Sequence, residues 1–357
     1  MITAADRARP VKRSRLQMAA LWTAMLVFVG AVVFAAFEVT LRVVINRALS
    51  AAEAGSPLIQ SSIPGLGYEL ATNQQTGTVL TDSHGFRVSS PHESTERRTV
   101  LLLGDSVAYG MGVSYEKTMA PLLESRLKSE PGLTAAVRNA SVPGYNTVQE
   151  AIRLRQVGPA VHPDLVIVEV CLNDYLDAPR LTDGGVLDAS AAHAGSDFSL
   201  LSLAYGSRTL VFFKDKIRDA EQMYPEWFPM WAHYIHYVHQ KPGWEQAKSA
   251  LREIADTTRR IDARLLIVIF PMEQQLRIGD RAAQDALLSF AQAHDIATLD
   301  LYESFRSNWR TGLYVDYWEN AGVVDKLHLS ERGHALAASE MARAIAIRDF
   351  YPATGVP

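Results

Sequence analysis

The sequence predicts an α/β protein, a parallel sheet with helices on both faces, preceded by one membrane-spanning helix. Three observations carry this. Short continuous apolar runs at 100–103 and 265–270 and a near-continuous one at 165–171 have the length and composition of strands buried on both faces. Segments with apolar residues at helical spacing lie between and after them, the alternation that parallel strands need for their crossovers. Residues 18–37 form a 20-residue stretch broken only by Thr23, about 30 Å long as a helix and so the thickness of a bilayer core.

The N-terminal element comes first. Arg7, Arg9, Lys12, Arg13 and Arg15 precede the apolar stretch against a single Asp6. The positive-inside rule then puts the N-terminus in the cytoplasm and the rest of the chain outside, as a single-pass anchor in a bacterial inner membrane with a periplasmic or extracellular domain. A cleaved signal peptide is the competing reading. The apolar core is longer than the usual signal core, and the nearest small-x-small site, at 52–54, lies well downstream. A buried hairpin helix is the other alternative, and apolarity all round the helix opposes it.

Residues 38–47 read as a helical continuation. Residues 49–98, rich in Gly, Ser, Thr, Pro and Asn, read as a stalk and lead-in with short strands around 77–81 and 85–88. From residue 99 the pattern changes. Strand 100–103 stops at Gly104, Asp105 and Ser106, a sharp turn at the carboxyl edge of the expected sheet, where open α/β folds place ligands and where a following helix offers free N–H groups. Helices are expected at 118–128, closed by Pro131 and Gly132, and at 147–157, closed by Gly158 and Pro159. Strand 165–171, strand 265–270, helix 282–294, strand 296–301 and a closing helix 330–347 with Ser330 as N-cap complete the alternation. The organisation expected is an anchor at 1–48, the lead-in at 49–98 and one domain at 99–357.

That domain carries an insertion at about 178–242 crowded with Phe212, Phe213, Tyr224, Trp227, Phe228, Trp231, Tyr234 and Tyr237. It reads as a lid, as a surface for sugar rings or lipid, or as a small core of its own. His233, His236 and His239 spread across about a third of a helix circumference and lack a carboxylate or cysteine to complete a ligand set, so no metal is expected. No other cofactor is expected either. A net charge of −4, with no basic block beyond the N-terminus, argues against a nucleic-acid partner, and none is expected. The lone Cys171 excludes an intrachain disulfide.

A serine nucleophile needs a base, a group that orients the base, and donors for an oxyanion. Asp325 and His328 lie three apart in DKLHLSERGHA, just before the closing helix, so a short loop can turn both toward Ser106. Asn173 follows strand 165–171, and Gly144, in NASVPGYNT, precedes the second helix with a backbone N–H. Taken singly, each has an ordinary explanation as a cap, a turn or a loop ion pair.

Together these residues resemble the SGNH, or GDSL-type, hydrolases. Gly104, Asp105 and Ser106 with Gly110 match the first block of that family, Gly144 the second, Asn173 and Asp174 the third, and Asp325 with His328 the last. The resemblance covers 99–348, and the lead-in Gly85–Phe86–Arg87 looks like its membrane-anchored bacterial branch. It implies a flavodoxin-like three-layer α/β/α fold, with Ser106 as nucleophile, His328 as base, Asp325 as orienter, and an oxyanion hole from the Ser106 N–H, the Gly144 N–H and the Asn173 side chain. One departure is plain: Cys171 stands where the third block usually begins with glycine, and a thiol nucleophile there is a minor alternative. The expected activity is an envelope esterase releasing a small acyl group, acetyl first, from a polysaccharide or glycolipid. A lipid ester is a further possible substrate. The alternatives are an O-acyltransferase working on a glycan with a membrane partner, and an idle glycan-binding or envelope polysaccharide-assembly protein.

Overall fold

The computed structural model describes residues 15–53, 56–90, 96, 98–175, 180–181, 187–188, 207–224, 227, 235–315, 317–318 and 323–348. They divide into two compact units, residues 1–50 with 198–214, and residues 51–197 with 215–357.

The first unit is dominated by helix α1, Arg15–Glu53, whose segment Arg15–Val44 is long and apolar enough to cross a membrane. Its apolar side chains, among them Leu26, Phe28 and Val33, are exposed all along it, as an all-round apolar helix outside a protein core must be.

The second unit is built on one eight-stranded sheet. The lead-in supplies the antiparallel ribbon β1 (Leu58–Gln60) and β2 (Tyr68–Leu70), then β3 (Gln75–Thr76), β4 (Val79–Thr81) and β5 (Arg87–Val88). Next come β6 (Thr99–Leu103), α2 (Ser106–Tyr109), α3 (Met119–Ser129), β7 (Ala136–Asn139), α4 (Thr147–Val161) and β8 (Leu165–Val170). The short pair β9 (Arg180–Leu181) and β10 (Leu187–Asp188) and helix α5 (Arg208–Met223) fall in the expected insertion. The rest of 178–242, including Phe228, Trp231, His233 and Tyr234, lies mostly outside the described residues. Then follow α6 (Pro242–Arg260), β11 (Arg264–Ile269), α7 (Glu273–Ile278), α8 (Ala282–Ala293), β12 (Ala297–Asp300), α9 (Tyr302–Asn308), the ribbon β13 (Tyr317–Trp318) and β14 (Val323–Val324), and α10 (Glu331–Arg348).

The sheet order is β12-β11-β8-β6-β7-β5-β4-β3. The strands from β12 to β7 are parallel, and their order relative to the chain is that of flavodoxin-like sheets, with β6 and β8 at the switch point. Beyond β7 the neighbours are antiparallel. Residues 75–88 of the lead-in are therefore an edge of the same sheet and not a detached stalk. Alternate residues of each strand feed two apolar layers. Val100, Leu102, Ile167 and Val268 face α3, α9 and α10, while Leu101, Leu103, Val168 and Ile267 face α4, α6 and α8.

One helix end differs from the sequence expectation. Helix α4 does not stop at residue 157 but runs through Gly158 and Pro159 to Val161, and His162 closes it in the left-handed conformation. Proline removes one N–H bond near a helix end, where orphan carbonyls are usual anyway. Gly158 lets the helix approach Ile261, whose Cδ1 would stand 3.0 Å from a Cβ there.

Candidate active site

The site forms where β6 gives way to α2. A Cβ at Gly104 would stand 2.7 Å from both Glu169 Oε2 and Ala108 Cβ, so the turn leaves no space for a larger residue. The Asp105 carboxylate accepts the Val107 N–H at 2.7 Å and caps α2, an interaction that typically contributes about 1 kcal/mol. Gly110, with φ of 81°, closes the same helix. Ser106 is thereby the first helical residue, and among the described residues no acceptor takes its N–H.

Asp325 and His328 approach from the loop before α10. His328 Nε2 lies 2.7 Å from Ser106 Oγ, and His328 Nδ1 lies 2.5 Å from Asp325 Oδ2. The second Asp325 oxygen accepts the N–H groups of Leu327 and His328 at 2.9 and 3.0 Å. The loop itself is pinned where Val315 N–H donates to the His328 carbonyl at 2.9 Å and Ser330 N–H to the Leu313 carbonyl at 2.9 Å. Ser330 also accepts the Gly333 N–H at 3.3 Å, as an N-cap does.

The electrostatics follow the geometry. Burial favours a neutral Asp325, but the hydrogen bond and charge of His328 and the two N–H donors outweigh it and hold the carboxyl down at about 2. Burial likewise opposes a charged His328, yet the Asp325 hydrogen bond and charge raise its pKa above the ordinary histidine value. An imidazole whose Nδ1 faces a carboxylate keeps its proton there and presents a free Nε2 lone pair. The arrangement can therefore accept the Ser106 hydroxyl proton.

Gly144 sits in the turn from Val142 to Tyr145 with φ of 78°, a conformation suited to glycine. Among the described residues no acceptor takes its N–H. The Asn146 side chain caps α4 directly after it in a capping box with Gln149. Asn173 lies in a single helical turn, Leu172–Tyr175, and its side chain is outside the described residues. Cys171 is buried, its N–H donating to Asp174 Oδ2 at 2.6 Å. Burial first, then the charges of Glu169, Asp105 and Asp174, push its thiol well up, away from the thiolate that a nucleophile requires.

Three supports were not legible as site residues in the sequence. Arg87 is buried and spans the end of α2, donating to the carbonyls of Tyr109 and Gly110 at 2.9 Å and of Val113 at 2.8 Å. The only sequence signal for it is the Gly85–Phe86–Arg87 motif. Tyr68 donates its hydroxyl to the Pro143 carbonyl at 3.1 Å, and Tyr145 donates to the Tyr68 carbonyl at 2.6 Å. Beneath the turn, Glu169 accepts the Asp105 N–H at 3.3 Å. Burial first, then the charges of neighbouring carboxylates, push Glu169, Glu150 and Asp174 well above the ordinary carboxylate range.

A groove of about 960 Å³ opens beside α2, walled by Leu58, Val79, Tyr109, Met111 and Pro143.

Comparison with known proteins places the chain in a family. Residues 102–336 match the GDSL-like Lipase/Acylhydrolase family. An arylesterase of Vibrio mimicus is 26% identical over 170 residues, covering 44% of this chain and 81% of that protein. Among solved structures, TesA is 16% identical with a TM-score of 0.41, covering 71% of this chain and 100% of that one. An acetylxylan esterase from Geobacillus stearothermophilus is 14% identical with a TM-score of 0.41, covering 70% of this chain and 94% of that one.

Proposed function

This chain belongs to the GDSL-like lipase/acylhydrolase family and is an ester hydrolase, and from that premise we propose a membrane-anchored serine esterase that removes a small acyl group from an envelope glycan or glycolipid. The observation that carries the mechanism is the hydrogen-bonded series Ser106, His328 and Asp325, at 2.7 and 2.5 Å.

In this reading Ser106 Oγ attacks the ester carbonyl as His328 Nε2 takes its proton. Asp325 holds the imidazole in the required tautomer and stabilises the imidazolium that forms. The Ser106 and Gly144 N–H groups, with the Asn173 amide, receive the developing oxyanion. His328 then returns its proton to the departing alcohol, leaving an acyl-serine, and next draws a proton from water as that water attacks the acyl carbon. As the acyl–Oγ bond breaks, His328 passes that proton to Ser106 Oγ, which releases the acid and restores the serine. No metal or cofactor enters these steps.

A short acyl group, acetyl first, is supported by the packing under the site. Cys171 shares one buried apolar cluster with Val107, Ala108 and Leu329, the sequence neighbours of Ser106 and His328, and close packing of this kind favours a small acyl group. The groove beside α2 suits the alcohol portion of the ester. Placement outside the cytoplasm, and with it an envelope substrate, is supported by helix α1 and the basic residues before it.

The test is turnover of acetyl and longer acyl esters by the detergent-solubilised full chain. Ser106→Ala is expected to lower kcat by at least about 10⁴-fold, as loss of a triad nucleophile does. Undiminished turnover in that variant excludes the assignment, and faster cleavage of long-chain esters excludes the short acyl group.

A further inference from the structure

The insertion contributes an element for which ester hydrolysis has no need, helix α5, Arg208–Met223. Its start is tied to the anchor. Glu38 Oε2 accepts the Ser207 hydroxyl at 2.9 Å and the Thr209 N–H at 2.8 Å, and its other oxygen accepts the Arg208 N–H at 3.0 Å. A carboxylate on the first N–H groups of a helix is a charge-assisted cap. Beside it, the Phe37 ring meets Phe212 edge-on, with centroids 5.5 Å apart.

The place of that tie along α1 matters. The apolar stretch 18–37 ends at Phe37, and Glu38 is the first charged residue after it. If the stretch fills the hydrocarbon core, Glu38 stands at the boundary between acyl chains and headgroups, and helix α5 begins at that depth.

Along α5 one stripe is apolar and uncovered. Leu210, Phe213, Ile217 and Tyr224 are 45%, 55%, 58% and 47% exposed. Spacings of three, four and seven keep all four on one side of a helix. Trp227, just beyond, is 78% exposed. Thr209 and Asp219, away from that stripe, are buried. Large apolar groups facing water in a row are unfavourable, and each would gain from burial in an apolar surface. Aromatic rings beside them are the residues that partition to the headgroup layer.

We infer that helix α5 is an interfacial helix, laying Leu210, Phe213, Ile217 and Tyr224 into the outer headgroup–acyl boundary of the bilayer that α1 crosses. The occupant of the stripe is thus a lipid surface, and the chain is held to its membrane by a second, reversible contact beside the anchor. This rests on the reading of α1 as an anchor.

The experiment uses the full chain reconstituted in phosphatidylcholine–phosphatidylglycerol vesicles. Cys171 is buried, so cysteines introduced one at a time take an environment-sensitive fluorophore selectively. The variants are Ile217→Cys and Phe213→Cys in the stripe, Val33→Cys in α1, and Glu245→Cys on the exposed side of α6. Lipids brominated near the headgroup end of their acyl chains should quench most of the emission at Ile217 and Phe213 and leave Glu245 unquenched. Mid-chain bromines should quench Val33. Water-like, unquenched emission at Ile217 and Phe213 with Val33 quenched overturns the inference while sparing the anchor. Blue-shifted but unquenched emission at Ile217 assigns the stripe to a protein contact and overturns it equally. Failure to quench Val33 overturns the anchor reading, and the inference with it.

Discussion

The two sides of the candidate site are held in different ways. On the proton-transfer side, Asp325 and His328 are three residues apart, and nearly everything that orients them lies on their own loop. On the oxyanion side, the Ser106 and Gly144 turns are braced from far away in the chain. Arg87 grips the end of α2 from the lead-in. Tyr68 reaches the Pro143 carbonyl across 75 residues, and Gln149 ties α4 to the Leu66 carbonyl at 2.6 Å. On the proposed reading, the contrast predicts that acid–base chemistry can be damaged here without touching the fold, whereas the proposed oxyanion donors depend on the packing of the lead-in.

The sharpest separation comes from His328→Ala. It should lower kcat by at least about 10⁴-fold, as removal of a triad base does. Its melting temperature should stay near that of the wild type, because Asp325 keeps the Leu327 and His328 N–H donors and the loop keeps its backbone hydrogen bonds. A large drop in melting temperature would merge the two sides of the comparison.

Asp325→Asn should cost roughly 10³–10⁴-fold in kcat, since the amide can no longer hold the Nδ1–H tautomer. It also makes a pH prediction. Asp325 raises the His328 pKa, and the base works only when neutral. Wild-type kcat/KM should therefore rise through a pKa above 6.5. Without the carboxylate the histidine titrates lower, so the limb in the variant moves toward acid. A limb that stays in place would mean that another group sets it.

The same contrast explains what the sequence disclosed. Ser106, Asp325 and His328 were legible because each carries a local signal, a strand ending at Gly104 and a carboxylate three residues from a histidine. Gly144 was legible through its block, and the structure adds its left-handed backbone. The supports were not legible, because their partners are far away in sequence. Tyr68 carries no local signal, and the Gly85–Phe86–Arg87 motif does not tie Arg87 to the Ser106 turn until the sheet brings β5 beside β7. Strand β7 was missed because Arg138 interrupts its four residues, and α6 because the insertion hid where the next crossover began. Glu169 carries no signal of its own inside the apolar run 165–171, yet it is fully buried and accepts the Asp105 N–H.

A disruption on the braced side should register first as instability. Arg87→Met removes three hydrogen bonds to carbonyls around the end of α2, and each buried acceptor left unpaired costs roughly 1–3 kcal/mol. The expected loss is roughly 3 kcal/mol or more in denaturant unfolding. Activity per folded molecule should fall as well, because the Ser106 helix loses the group that fixes its far end. Unchanged stability would show that solvent replaces the guanidinium and that the lead-in is not integral to the site.

The finest test is Tyr68→Phe. The Pro143 carbonyl that accepts the Tyr68 hydroxyl belongs to the same peptide as the Gly144 N–H, and in a trans peptide the two point in opposite directions. Holding the carbonyl therefore aims the N–H, and a hydrogen bond at one end of a peptide strengthens donation at the other. Burial first, then the neighbouring Tyr145 and Asp105 groups, push the Tyr68 phenol up, so it remains a neutral donor. Phenylalanine keeps the ring, its edge-on contact with Tyr145 at 5.4 Å, and most of the packing. Stability should fall by only about 1 kcal/mol, the net worth of one hydrogen bond. If Gly144 donates to the oxyanion, kcat should drop by roughly 10-fold with KM nearly unchanged, a weaker loss than the 10²–10³ seen when an oxyanion donor is deleted outright. Equal falls in stability and activity, or a change confined to KM, would reduce Tyr68 to a packing residue and leave the Gly144 N–H aimed by its turn alone.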